Sequence, residues 1–253
     1  MKKILSIGII IVTLLAMLSS SAFAADGINW YVKHGDSGCV IIPPGQEFIT
    51  EYGGIFKSSA AGAERRIYLT FDAGYENGNV ARILDVLKEK NVPAAFFILK
   101  HLIVKNTDLV LRMAKEGHLV CNHTTDHKDL SLMSSEEIRK RVVSLEELYK
   151  QTTGYDMAKF FRFPEGRYSK DAIAEIYKLG YTTVFWSFAY PDWDNGRQPD
   201  AKWAMDRILS ATHGGEILLL HPTSDTNAEI LGALIDNWRQ MGYSFGSLDE
   251  IAK

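Results

Sequence analysis

From residue 67 to the C-terminus the chain alternates short, β-rich apolar runs with amphipathic stretches of helical period, a pattern that few architectures accept. Parallel strands joined by crossover helices satisfy it, because each helix covers the strand it follows and returns the chain to the same sheet edge. Strands are predicted over 67–71, 94–98, 118–121, 160–163, 182–186 and 217–220, with a short one near Tyr243. Helices are predicted over 79–90, 107–116, 135–152, 170–179, 201–210 and 227–241. Ser134-Ser135-Glu136-Glu137 offers a capping arrangement at one helix start, and Gly117, Gly154, Gly180 and Gly242 stand where left-handed caps suit helix ends. The fold class is therefore α/β. Periodicity alone does not separate an open doubly wound sheet from a closed barrel.

Upstream, Lys2 and Lys3, an apolar run over 4–18 and Ala22-Phe23-Ala24 have the form of a signal peptide spanning 1–24. The run is shorter than the roughly 20 residues that span a bilayer, so cleavage and export without stable membrane insertion are expected. Residues 25–64 are punctuated by Gly and Pro and read as an extended N-terminal arm, whose Trp30, Tyr31, Tyr52 and Phe56 are expected to pack across the domain that follows, 65–253. A net charge of -3 leaves no basic face for nucleic acid. The two cysteines permit one disulfide; Cys121 lies in an apolar stretch and reads as core.

Polar residues collect where these strands end. Asp72, His123, His127, Arg162, Asp192 and His221 all lie at the C-terminal ends of predicted strands or in the loops beyond, the edge on which chemistry gathers in α/β folds. His123 and His127 at i and i+4 would share one side of a helical turn and could grip one metal ion, although capping or core hydrogen bonds explain such a pair as readily. Asp72 could cap a helix, and Arg162 with Asp192 could form a surface ion pair. Trp186 and Trp193 read as core, and Glu76 and Asp126 as turn residues.

Taken in order, Phe71-Asp72-Ala73-Gly74, Asn122 to His127, Arg162-Phe163-Pro164-Glu165-Gly166, Trp186 with Asp192-Trp193, and Leu220-His221-Pro222 resemble the five motifs of the NodB-homology polysaccharide deacetylases, carbohydrate esterase family 4. The resemblance runs from about Ile67 to the C-terminus. It implies a distorted (β/α) barrel of about seven strands and a secreted, cell-wall-associated, monomeric hydrolase. By the same resemblance Asp72 is the general base and His221 the general acid, Arg162 pairs with Asp72, and Asp192 pairs with His221. His123 and His127 would hold a divalent metal, zinc, and the main-chain N–H of Glu165, beside Gly166, would face the oxyanion. The family's usual second Asp is replaced by Ala73, which weakens the metal site.

Tyr75-Glu76-Asn77, Gly166 to Ser169 and Phe185-Trp186-Ser187 are similar to the subgroup that deacetylates N-acetylmuramic acid in forming the δ-lactam of the spore cortex. That implies peptide-stripped peptidoglycan strands as partner, with Arg167 contacting the lactyl carboxylate. Two alternatives stay open: an N-acetylglucosamine deacetylase of peptidoglycan or chitin oligomers, and an inactive wall-binding module, for which Ala73 is the support.

Overall fold

The structure, a computed structural model, describes residues 27–35, 39–60 and 62–251. The signal-peptide reading of 1–24 lies outside the described residues. In chain order, three two-residue strands, β1 (Ile28–Asn29), β2 (Lys33–His34) and β3 (Val40–Ile41), and a short helix α1 (Phe48–Glu51) precede β4 (Arg66–Ala73) and α2 (Asn79–Lys90). There follow β5 (Ala94–Ile98), α3 (Lys100–Lys105), α4 (Thr107–Lys115), β6 (Leu119–Asn122), α5 (Ser135–Thr153) and β7 (Ala158–Phe161). The chain ends through β8 (Arg167–Tyr168), α6 (Lys170–Lys178), β9 (Thr182–Thr183), α7 (Ala201–Ala211), β10 (Glu216–Leu220), α8 (Asp225–Gln240) and β11 (Ser244–Phe245). Among the described residues no helix is long and apolar enough to cross a membrane.

Seven strands form one parallel sheet in the order β10-β4-β5-β6-β7-β9, with β11 beside the start of β4. The sheet curls until its edges nearly meet. Beyond β9 the chain swings across the gap, where Phe188 bridges Leu218 of β10 and Ser187 N–H donates to Ile217 O at 2.9 Å. At the other end of the seam Ile55 bridges Val184 and Lys57 bridges Glu216. The seam of the distorted barrel is thus closed partly by residues from the N-terminal region.

The period-2 pattern of the strands decides which residues meet inside. On β4, Ile67, Leu69, Phe71 and Ala73 face the outer apolar layer beneath α2 and α8, while Tyr68 belongs to the inner cluster with Ala95, Phe97, Cys121, Phe160, Val184 and Ile217. Thr70 and Asp72 follow Tyr68 on the inner face. Ala73 therefore lies on the opposite face of the strand from Asp72. Cys121 is buried and Cys39 exposed, and both are free thiols.

The helix caps agree with the sequence: Ser134 and Glu137 form a complete capping box on α5, and Gly154 ends that helix at φ 79°. Several boundaries differ. The sixth strand starts at Leu119 and the seventh at Ala158, and the strand expected over 182–186 is regular only to Thr183, because beyond it the chain leaves β7 to reach β10. Helix α3 was not predicted, since a six-residue helix holds too few turns to show a period.

In the arm, Trp30 and Phe56 are buried as expected and Tyr52 packs against Tyr177, but Tyr31 is exposed. Trp30 stacks on Phe185 at 4.7 Å between ring centroids, and its indole N–H donates to Trp186 O at 2.9 Å. Strand β1 pairs antiparallel with β8, which ties the arm to the 166–168 loop. Trp30→Ala should lower the unfolding free energy in urea by about 3 kcal/mol through the lost ring volume, with no change in m-value.

Candidate active site

At the C-terminal mouth of the barrel lies a cleft of about 700 Å³ lined by Asp72, His123, His127, Glu165, Gly166, Trp186, Trp193 and His221, among others. Asp72 lines its floor, and the buried Arg162 stands behind it. The Arg162 side chain is 0% exposed, and every nitrogen it carries is engaged. Nη1 donates to Asp72 Oδ1 at 2.8 Å, Nη2 to Thr70 Oγ1 at 2.9 Å and Phe185 O at 3.4 Å, and Nε to Val184 O at 3.1 Å. The guanidinium carbon also lies 4.1 Å from the centroid of the Phe97 ring. Burial works to raise the Asp72 pKa, but the charge of Arg162, that of His123 once acid protonates it, the charge of His221 and the Arg162 hydrogen bond outweigh it, so the carboxyl is held below its ordinary 3.8.

His221 follows β10 and meets Asp192. Its Nδ1 lies 2.7 Å from Asp192 Oδ1, and its main-chain N–H donates to Oδ2 at 2.8 Å. Asn227, from the first turn of α8, donates from Nδ2 to Asp192 Oδ2 at 2.6 Å and to His221 O at 3.0 Å, and accepts from the Tyr190 hydroxyl. Because an ionised carboxylate only accepts, Nδ1 of His221 carries a proton. Burial would depress the His221 pKa, yet the hydrogen bond and charge of Asp192, aided by Asp72, raise it above 6.5.

The two other histidines approach without the helical turn expected of them. Residues 123–127 form an irregular loop in which Thr124 and His127 take positive φ, 75° and 54°. Side-chain hydrogen bonds hold this curl: Thr124 N–H donates to Asn122 Oδ1 and His127 N–H to Thr124 Oγ1, each at 3.0 Å. The rings still meet, with centroids 4.9 Å apart.

His123 Nδ1 is 2.8 Å from Arg162 O, an acceptor, so that nitrogen holds the proton and Nε2 presents its lone pair. Nε2 is buried, has no hydrogen-bond partner, and lies 3.5 Å from Asp72 Oδ2. Burial, only partly opposed by Asp72, pushes the His123 pKa down to about 4, so the ring is neutral near pH 7. An orphaned imidazole nitrogen beside a carboxylate fits a divalent cation. Among the described residues no three His, Cys, Asp or Glu side chains gather as a complete metal cluster.

Glu165 takes φ 56° and Gly166 φ 64°, so the loop after β7 turns over at the cleft wall. A Cβ at residue 166 would come 2.6 Å from the Trp186 ring, which leaves glycine as the residue that fits. Arg167 does not line the cleft; its Nε lies 2.8 Å from Asp129 Oδ2. Trp193, read as core, is 63% exposed at the cleft rim, and Trp186 also lines the cleft. Glu76 caps α2 through Gly78 N–H and Val80 N–H, and Asp126 pairs with Arg141, so both are local structural groups.

Sequence reasoning missed Thr70, Asn122 and Asn227. Thr70 was accessible from its place two residues before Asp72 on one strand face, whereas nothing in the spacing singles out Asn227.

Replacing Arg162 with Met should cost about 3–5 kcal/mol in denaturant at neutral pH, since it leaves a buried carboxylate without its cation. The sign with pH is fixed by the lowered Asp72 pKa: the pair's contribution is present above the unfolded carboxyl value and is lost as pH falls through the folded one. The deficit of the variant should therefore shrink on acidification.

A family model described as polysaccharide deacetylase matches residues 59–184. The chain is 39% identical over 188 residues to the peptidoglycan-N-acetylmuramic acid deacetylase PdaA of Bacillus subtilis, spanning 74% of this chain and 72% of that protein. The solved structure of Bacillus subtilis PdaA, a family 4 carbohydrate esterase, superposes with a TM-score of 0.83 at 35% identity, covering 89% of this chain and 97% of that one. A family 4 carbohydrate esterase from Bacillus anthracis matches with a TM-score of 0.73 at 38% identity, over 89% of this chain and 95% of that one. With its curled parallel sheet and its Asp and His side chains converging at the strand ends, this chain belongs to the polysaccharide deacetylases of carbohydrate esterase family 4.

Proposed function

We propose that this deacetylase removes the acetyl group from N-acetylmuramic acid residues of peptidoglycan, outside the cytoplasm. The observation that carries the hydrolytic part is the convergence of Asp72 and His221 on one cleft, each backed by a buried partner of opposite charge. The muramic part rests on the similarity to PdaA and on the sequence from Tyr75 to Asn77.

In this reading a water attacks the acetyl carbonyl carbon while Asp72 accepts its proton, a role suited to a carboxylate kept ionised by Arg162. The main-chain N–H of Glu165, on the turned-over loop beside Gly166, donates to the oxyanion. When the tetrahedral intermediate collapses the C–N bond breaks, and His221 gives the Nε2 proton to the departing nitrogen, leaving acetate and a free amine. Asp192 keeps His221 charged for that donation. His123 and His127 would hold a divalent cation such as zinc, which when bound would supply Lewis acidity toward the acetyl carbonyl. Two imidazoles bring no negative charge where a second carboxylate would bring one, so chelators should strip the metal readily, with activity returning on addition of zinc.

Asp72→Asn should reduce acetate release at least a thousandfold. Mass analysis of digested wall should place the loss of an acetyl group on muramic acid; loss on glucosamine would favour the second substrate, and no acetate release by the wild type would favour a binding module. The rate should fall on an alkaline limb above 6.5 as His221 loses its proton, and on an acid limb that begins as His123, with its pKa of about 4, takes up a proton and continues as Asp72 does the same below 3.8. Asp192→Asn should draw the alkaline limb below 6.5, where burial of His221 acts unopposed by its main counter-charge.

A further inference from the structure

Tyr75 stands three residues beyond Asp72 on the loop from β4 to α2, lines the cleft, and is 58% exposed. A single exposed aromatic is ordinary on a protein surface. This one is distinguished by how firmly its surroundings are fixed. Gly74, just before it, lies so close to Leu99 that a Cβ there would come 2.7 Å from Leu99 Cδ1. Just after it, Glu76 is tied to the start of α2, and Asn77 Nδ2 donates to Thr223 O at 2.8 Å. The ring itself meets the imidazole of His101, from the first turn of α3, at 4.7 Å between centroids with planes inclined by 45°. An anchored loop and a bracing ring hold this side chain at the mouth with more than half its surface in water.

A pyranose has an apolar C–H face and a polar edge, and an aromatic ring matches that face at low entropic cost, since the ring has only two side-chain torsions to fix. The acetamide chemistry lies deeper, where the Asp72 side chain is 10% exposed. Resting on the deacetylase reading above, we propose that Tyr75, braced by His101, is a stacking platform for the sugar next to the one being deacetylated. The enzyme would then select glycan chains over single amino sugars. His101 acts through Tyr75 and is a positioning residue.

The test compares a tetrasaccharide of alternating N-acetylglucosamine and N-acetylmuramic acid with free N-acetylmuramic acid, following acetate release by the full chain. Tyr75→Ala should raise KM for the tetrasaccharide about tenfold, which is about 1.4 kcal/mol, with kcat within twofold, and should erode the preference for the longer substrate by the same factor. Tyr75→Phe should behave as the wild type, because the ring face rather than the hydroxyl makes the contact. His101→Ala should raise KM by a smaller factor and add nothing in the Tyr75→Ala background. An intact tetrasaccharide preference in Tyr75→Ala, or a Tyr75→Phe as impaired as the alanine variant, would overturn the platform alone. Absence of acetate release by the wild type would overturn the hydrolytic reading and the platform with it.

Discussion

The buried guanidinium of Arg162 is the contact around which the barrel mouth is organised. A charge with no exposure to water is tolerated only if its donors are satisfied, and Arg162 satisfies them with the Asp72 carboxylate, the Thr70 hydroxyl and the carbonyls of Val184 and Phe185. Those partners belong to β4 and to the segment leaving β9, while Arg162 itself extends β7. One side chain therefore fixes three parts of the barrel relative to one another. Its own carbonyl sets the tautomer of His123, so the same residue orients the carboxylate and the imidazole that face each other across the site.

The second acid–imidazole pair, Asp192 with His221, is built in the opposite sense. At Asp72 a cation stabilises a carboxylate, and at His221 a carboxylate stabilises a cation, and burial opposes both. The two groups are driven apart in proton affinity by partners on different elements, and that separation suits one cleft to taking a proton at one wall and giving it at another. Asn227 links this pair to the start of α8, so the helix after β10 is part of the site as well as of the outer layer.

Most of the architecture was legible in the sequence because strand and helix periods differ and each βα unit repeats the contrast. Strand-end position pointed Asp72, His123, His127, Arg162, Asp192 and His221 to one crevice, while their pairing came from the family resemblance. Local geometry was less accessible. The i, i+4 spacing of His123 and His127 suggested a helical turn, but Asn122 and Thr124 offer their side chains to the backbone and produce a left-handed curl instead. Trp193 was assigned to the core on residue type, yet it lies on a loop, where type says little about depth. Asn227 was invisible because its value depends on a contact 35 residues back along the chain, with Asp192.

The seam of the barrel carries a kinetic consequence. Its closing contacts join Ile55 to Val184, Lys57 to Glu216, and the indole of Trp30 to Trp186, 156 residues further on. Such long loops lose much chain entropy before any bond repays it, and parallel pairing offers no hairpin shortcut. The seam is therefore expected to slow folding, because the arm can take its place only once the segment leaving β9 and the start of β10 are both in position.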